Sequence, residues 1–82
     1  MSKLSKKTFD FVAESVLGVL YDSYPSPLSA RFISSKIHRD KEFVMSVLLA
    51  LEEKHLVRSS SRSSGRKTWT LTSAAKKAFD SS

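Results

Sequence analysis

Apolar residues fall at Phe9, Val12, Ala13, Val16, Leu17, Leu20 and Tyr21, and mostly polar or small residues separate them. Steps of three and four residues gather those side chains on one stripe, so the spacing predicts a helix over residues 5 to 22. Gly18 interrupts it with a weak helix former, and its missing side chain is expected to let another element come close. The stretch Asp22-Ser23-Tyr24-Pro25-Ser26-Pro27 ends the period. Each proline lacks an amide donor and disfavours helical geometry in the residue before it.

Ser29 is a good N-cap, and Phe32, Ile33 and Ile37 predict one apolar side of a short second helix over 29 to 37. After the tight connection His38-Arg39, Asp40 stands where its carboxylate can accept from the free amides of a third helix, over 40 to 54. Val44, Val47, Leu48 and Leu51 form its buried stripe, with Phe43 at the flank. Lys41, Glu42, Met45, Ser46, Leu49, Glu52 and Glu53 fall largely outside that stripe, and Lys54 suits the negative end of the helix dipole.

Past His55 the period shortens to two. Leu56-Val57-Arg58 reads as a strand, Ser59 to Gly65 as a polar connection, and Lys67 to Leu71 as a returning strand with Trp69 and Leu71 on one face. The hairpin spans about 56 to 72. Thr72 or Ser73 is placed to cap a last helix over 73 to 79, whose Ala75, Ala78 and Phe79 are expected to pack back on the first helix. Ser81 and Ser82 are expected to fray. The fold class expected is mainly α with a small β-hairpin.

Length and composition narrow the picture. A chain of 82 residues supports one core, so 1 to 82 is expected to be a single domain. Without cysteine, neither disulfides nor thiolate metal sites can brace it, and packing must hold the fold. Asp10 and Glu14 break up the segment after the basic N-terminus, leaving no apolar region for a signal peptide, and no apolar run is long enough to span a bilayer. The expected setting is the cytoplasm, on the nucleoid, with no membrane partner.

Fourteen Lys and Arg against eight Asp and Glu leave a net charge of +6, an attractive surplus for polyanions, of which nucleic acid is the commonest in the cytosol. His38 and His55 stand apart, without a carboxylate at ligand spacing, so no metal site is expected. No serine sits on a nucleophile elbow, and two glycines cannot make a phosphate loop; no catalysis and no cofactor are expected, and no small-molecule ligand is evident.

The order helix, helix, helix, strand, strand, helix is that of a winged helix-turn-helix. Phe43-Val44-Met45-Ser46-Val47-Leu48-Leu49-Ala50-Leu51-Glu52-Glu53-Lys54-His55-Leu56-Val57 resembles the third helix and first wing strand of MarR-like, PadR-like and ArsR-like transcriptional regulators. Gly65-Arg66-Lys67-Thr68-Trp69-Thr70-Leu71-Thr72-Ser73-Ala74-Ala75 is similar to their second wing strand and the opening of the next helix. The resemblance covers Leu28 to Phe79 and carries the fold rather than any one family. Those families usually have glycine where His55 stands, since that residue tends to be left-handed. Ala75 also replaces a frequent glycine.

A winged helix offers DNA a groove-sized helix and a basic hairpin. Here the wing carries Arg58, Arg62, Arg66 and Lys67 with no acid between them, and Ser63 and its serine neighbours add hydroxyls for phosphate oxygens. Arginine at such a tip can enter a narrowed minor groove, and Gly65 permits a tight bend. On the third helix Lys41, Met45, Ser46 and Leu49 are the candidate base or backbone contacts, although no Arg, Asn or Gln is present for bidentate readout. Arg31, Ser34, Ser35 and Lys36, with Arg39 beyond, are candidates for flanking phosphates, as are Lys3, Lys6 and Lys7. The expected function is a double-stranded DNA-binding regulator, acting as a homodimer through the first helix, with the last helix as a further candidate surface. Two alternatives stand beside it: a winged helix devoted to protein contacts, and a DNA-coating architectural protein.

Overall fold

The computed structural model describes residues 6 to 61 and 65 to 81. Its elements are α1 (Lys6–Ser23), α2 (Ala30–Ile37), α3 (Lys41–Glu53), β1 (Val57–Ser61), β2 (Lys67–Leu71) and α4 (Ser73–Ser81). The first-helix stripe is buried within the chain: Val12, Ala13, Val16, Leu17 and Leu20 meet Val44, Val47, Leu48 and Leu51 of α3 in one core. Ile33, Val57, Trp69, Leu71 and Ala75 close it from α2, the hairpin and α4. Gly18 departs from expectation, because it is exposed and a Cβ placed there would meet nothing within 4 Å.

Local chemistry sets the helix ends. Ser29 Oγ accepts from the Phe32 amide at 3.1 Å, Asp40 Oδ2 from Glu42 and Phe43 at 3.1 and 3.3 Å, and Thr72 Oγ1 from Ala75 at 3.1 Å. These three side chains satisfy donors that a first helical turn leaves unbonded. Both histidines terminate helices in the left-handed region, His38 at φ 57° and His55 at φ 62°. After α3, the His55 amide donates to the Glu52 carbonyl (2.9 Å) and Leu56 to Leu51 (3.0 Å), the paired bonds of a Schellman ending. A non-glycine residue costs about 1–2 kcal/mol there, while glycine costs roughly 0.5–1 kcal/mol in extra chain entropy. His55→Gly is therefore expected to stabilise the protein by about 0.5–1 kcal/mol, and His55→Val to destabilise it, in thermal melts.

Three expectations need correction. Phe32 is 45% exposed rather than part of the apolar side of α2. The buried side of α2 follows Ala30, Ile33 and Ser34, with Ile37 packed against the core, which turns Phe32 outward beneath the Lys36 ammonium, 5.8 Å from its ring centroid. Ser59, Ser60 and Ser61 belong to β1 and pair with Trp69, Thr68 and Lys67, so the polar connection is shorter than read. Helix α4 runs on through Ser81, whose hydroxyl donates to the Lys77 carbonyl at 3.1 Å.

Helix α4 docks on α1 through a small polar cluster. The Tyr21 hydroxyl donates to Asp80 Oδ1 at 2.6 Å, Lys76 Nζ donates to Asp80 Oδ2 at 2.7 Å, and the Tyr21 and Phe79 rings meet edge to face with centroids 5.9 Å apart. The hydrogen bond from Lys76, and then that from Tyr21, holds the Asp80 carboxyl below its ordinary 3.8. Bonding to Asp80 raises Tyr21 above 10.0 and Lys76 above 10.5. The carboxylate's contribution is thus present above its ordinary value and lost as acid takes the pH through its lowered one. The contributions of the phenol and ammonium are present below their ordinary values and lost as alkali passes their raised ones. The contact is complete between the ordinary carboxylate and phenol ranges. Asp80→Asn is expected to move the Tyr21 titration back down toward the ordinary phenol value, read by ultraviolet difference spectroscopy.

Candidate nucleic-acid interface

The loop before α2 builds the site. Leu28 forms an antiparallel bridge with Trp69: its amide donates to the Trp69 carbonyl at 2.9 Å, and the Trp69 amide returns a bond of 2.7 Å. Trp69 also pairs with Ser59 on β1, so β2 lies between β1 and this one-residue bridge. Because Ser29, Ala30 and Arg31 follow Leu28 directly, the bridge sets the start of α2 against the second wing strand. On the other side the Ser59 hydroxyl donates to Glu52 Oε2 at 3.0 Å, tying the end of α3 to β1. The wing is thereby fastened to both helices of the helix-turn-helix.

Strand parity then decides which wing side chains face the helices. Val57 and Ser59 on β1, with Lys67, Trp69 and Leu71 on β2, share the inner face. Trp69 is 0% exposed, and Lys67 Nζ reaches back to 5.4 Å from the centroid of its ring. The result is an open cleft of about 320 Å³ lined by Ser29, Ala30, Arg31, Lys41, Met45, Arg66, Lys67 and Trp69. Four of those residues are basic and none is acidic. An array of one sign at a low-dielectric wall concentrates potential for anions. Gly65 turns the chain into β2 at φ 87°, in the left-handed region that glycine takes at no steric cost.

The expected contacts divide accordingly. Arg31, Lys41, Met45, Arg66 and Lys67 meet in the cleft. Arg58, paired with Thr70, lies on the outer face of the hairpin and is exposed, away from that group. Ser35 and Lys36 are exposed on α2. Ser34 is 9% exposed and its hydroxyl donates to the Arg31 carbonyl at 2.8 Å, which turns it inward rather than toward a partner. Ser46 is exposed on α3 with its hydroxyl donating to Glu42 (3.2 Å), and Leu49, one turn from Met45, is 47% exposed. Met45 itself is half-buried against the core. Arg62 and Ser63 lie outside the described residues, as does Lys3.

Residue-by-residue reading missed Ser29, Ala30 and Trp69 as parts of the cleft. A lysine two positions before a strand tryptophan was the available signal, since such residues share a face. The apolar stripe of α1, expected to serve a dimer, is instead buried within the chain. What α1 and α4 leave outside is Phe11 at 62%, Tyr21 at 36% and Phe79 at 40% exposure. Among the described residues no group of three or more His, Cys, Asp or Glu could hold a metal ion, and no helix is long and apolar enough to cross a membrane.

Neither a family model nor a curated protein sequence matches the chain. Solved structures do. MepR, a transcription regulator of the Staphylococcus aureus multidrug efflux pump MepA, superposes with a TM-score of 0.77 at 25% identity over 93% of this chain and 59% of its own. MepR solved in complex with DNA gives 0.76 at 28% identity over 92% of this chain and 66% of its own. A smaller protein from Ralstonia eutropha matches at 0.75 and 22% identity, over 88% of this chain and 94% of its own. The chain spans about 59% to 66% of the length of the two MepR chains. Four helices and a two-stranded hairpin in this order give it the winged helix-turn-helix fold of the MarR-like transcription regulators that MepR represents.

Proposed function

We propose that this protein is a double-stranded DNA-binding transcription regulator, with α3 entering a major groove and the wing lying on the flanking backbone or minor groove. The observation that carries the reading is the cleft between α2, α3 and β2, with Arg31, Lys41, Arg66 and Lys67 in its lining and no acid. The solved complex of MepR with DNA supports the same use of the fold. Arg31, Ser35, Lys36, Lys41, Arg58, Arg66 and Lys67 serve phosphates, while Ser46 and Leu49 face the bases. Arg62 and Ser63 add a cation and a hydroxyl to the same stretch of sequence.

One module this small has limited affinity, so we assign it a homodimer on a pseudo-palindromic site. The surface for it is the outer face of α1 with α4, where Phe11, Tyr21 and Phe79 stand exposed. Selection of bound duplexes from a random pool tests the function. A common motif with two related half-sites is the expected result, and a log–log salt slope near −4 to −7 follows if roughly five to eight phosphates are neutralised per dimer. Failure to enrich any sequence while duplex still binds would leave an architectural DNA-coating protein.

Exposed Phe32 and Leu49 favour one rival, a winged helix used for protein contacts. Absence of duplex binding in dilute buffer would decide for it.

A further inference from the structure

The cleft gathers its cations from three separate segments. Arg31 stands on the first turn of α2, Lys41 opens α3, and Arg66 and Lys67 lie where the chain re-enters the wing. Bringing like charges to one concave surface is unfavourable until an anion joins them. No acid is among the residues that line it. Asp40 and Glu42 flank Lys41 in sequence but are outside the lining, and Asp40 Oδ2 is already engaged by the amides of Glu42 and Phe43. Lys67 sits over an aromatic face rather than beside a carboxylate.

The walls add neutral donors. Ser29 caps the third amide of α2, leaving the backbone N–H groups of Ala30 and Arg31, which have no intrahelical acceptor, at the positive end of the helix. Trp69 forms the apolar wall, wholly buried, and its Nε1 is the buried side-chain donor without a partner among the described residues. Four cations and the first-turn residues of α2 therefore line one space against the Trp69 wall, and together they suit a phosphoryl oxyanion.

Resting on the DNA-binding reading above, we infer that this cleft is a seat for one phosphate of the DNA backbone, gripped at once by α2, α3 and the wing. Holding three segments on a single phosphate sets how far α3 sinks into the groove and at what angle the wing crosses the backbone. A free phosphate ion shares this chemistry, and the experiment separates the two sources.

Binding of a labelled duplex is measured by anisotropy against salt for the wild type, Lys41→Gln, Arg66→Gln and the double variant. Each single change is expected to weaken binding, and the double change to do so by roughly tenfold or more. Because both cations serve one phosphate, the log–log slope of the double variant falls by no more than about one unit per bound copy; a fall of about two assigns them to separate phosphates and overturns the seat. Neutral methylphosphonate linkages, placed one at a time along the duplex, test the wild-type protein directly. At one linkage per half-site the penalty seen with the wild type is expected to vanish in the double variant, while linkages at the other contacted phosphates weaken both proteins alike; a double variant that keeps the wild-type penalty at every linkage contradicts a single seat.

Trp69 is the only tryptophan in the sequence, so its emission reports on the cleft. Duplex is expected to shift it, and inorganic phosphate to shift it no more than chloride at equal ionic strength; a saturable response to inorganic phosphate alone would make the seat a free-anion site. The two levels of the inference fail differently. If the wild type binds no duplex in dilute buffer, the DNA reading falls. If it binds and the variants match it in affinity and slope, only the seat falls.

Discussion

Trp69→Ala is expected to cost about 3–5 kcal/mol, the largest loss from any single truncation in this chain, and to lower the melting temperature by roughly 12–40 °C. The side chain is wholly buried, its strand pairs on one side with β1 and on the other with Leu28, and its ring supports Lys67. A domain of this size holds only about 4–12 kcal/mol in total, so the variant loses much or all of its margin. Calorimetry or circular dichroism measures it. Trp69→Phe separates packing from polarity: it removes the unpartnered Nε1 along with ring volume, and the expected cost is well below that of alanine. Equal costs for the two would mean that the ring's volume is not what the core uses.

The second large effect is on DNA. Replacing Arg58, Arg66 and Lys67 together by Gln should lower duplex affinity on the order of 10²-fold at ~0.1 M salt, taking about 1 kcal/mol for each lost phosphate contact. All three side chains are exposed, so the fold should survive. Phosphate contacts carry no sequence information, and the loss should therefore be the same on selected and unrelated duplexes. Changes at Ser46 and Leu49 of α3 should instead alter the preference among sequences. Competition binding against a pool of duplexes distinguishes the two behaviours, and a wing variant that loses only its preferred site would reverse the roles assigned here.

How legible this protein is from its sequence varies with the range of the interaction. Ser29 and Asp40 were readable as caps, and Thr72 as one of two candidates with Ser73, because a cap acts within three residues of itself. The left-handed turn at His55 was indicated by the resemblance, since those families usually have glycine there, and histidine adopts the same conformation. Phe32 was misread because three apolar residues in a helix of eight residues fit more than one stripe, and only contact with α3 and the hairpin selects among them. The pairing of Ser59 to Ser61 was hidden, since a serine run has no alternation to display; Trp69, Thr68 and Lys67 across the ladder supply what those residues lack.

The candidate site divides the same way. A surplus of cations, and their concentration around the wing, belongs to composition and order in the chain. Which of them meet does not. Arg31, Lys41, Arg66 and Lys67 converge because the Leu28–Trp69 bridge draws α2 to β2 and the Glu52–Ser59 bond draws β1 to α3, whereas Arg58 is turned to the outer face by strand parity. Periodicity, capping and turn chemistry act over a few residues, and so the succession of helices and strands was determined by the sequence by itself. The cleft, the inward turn of Ser34 and the burial of the α1 stripe depend on contacts between distant segments, and only the tertiary structure decided them.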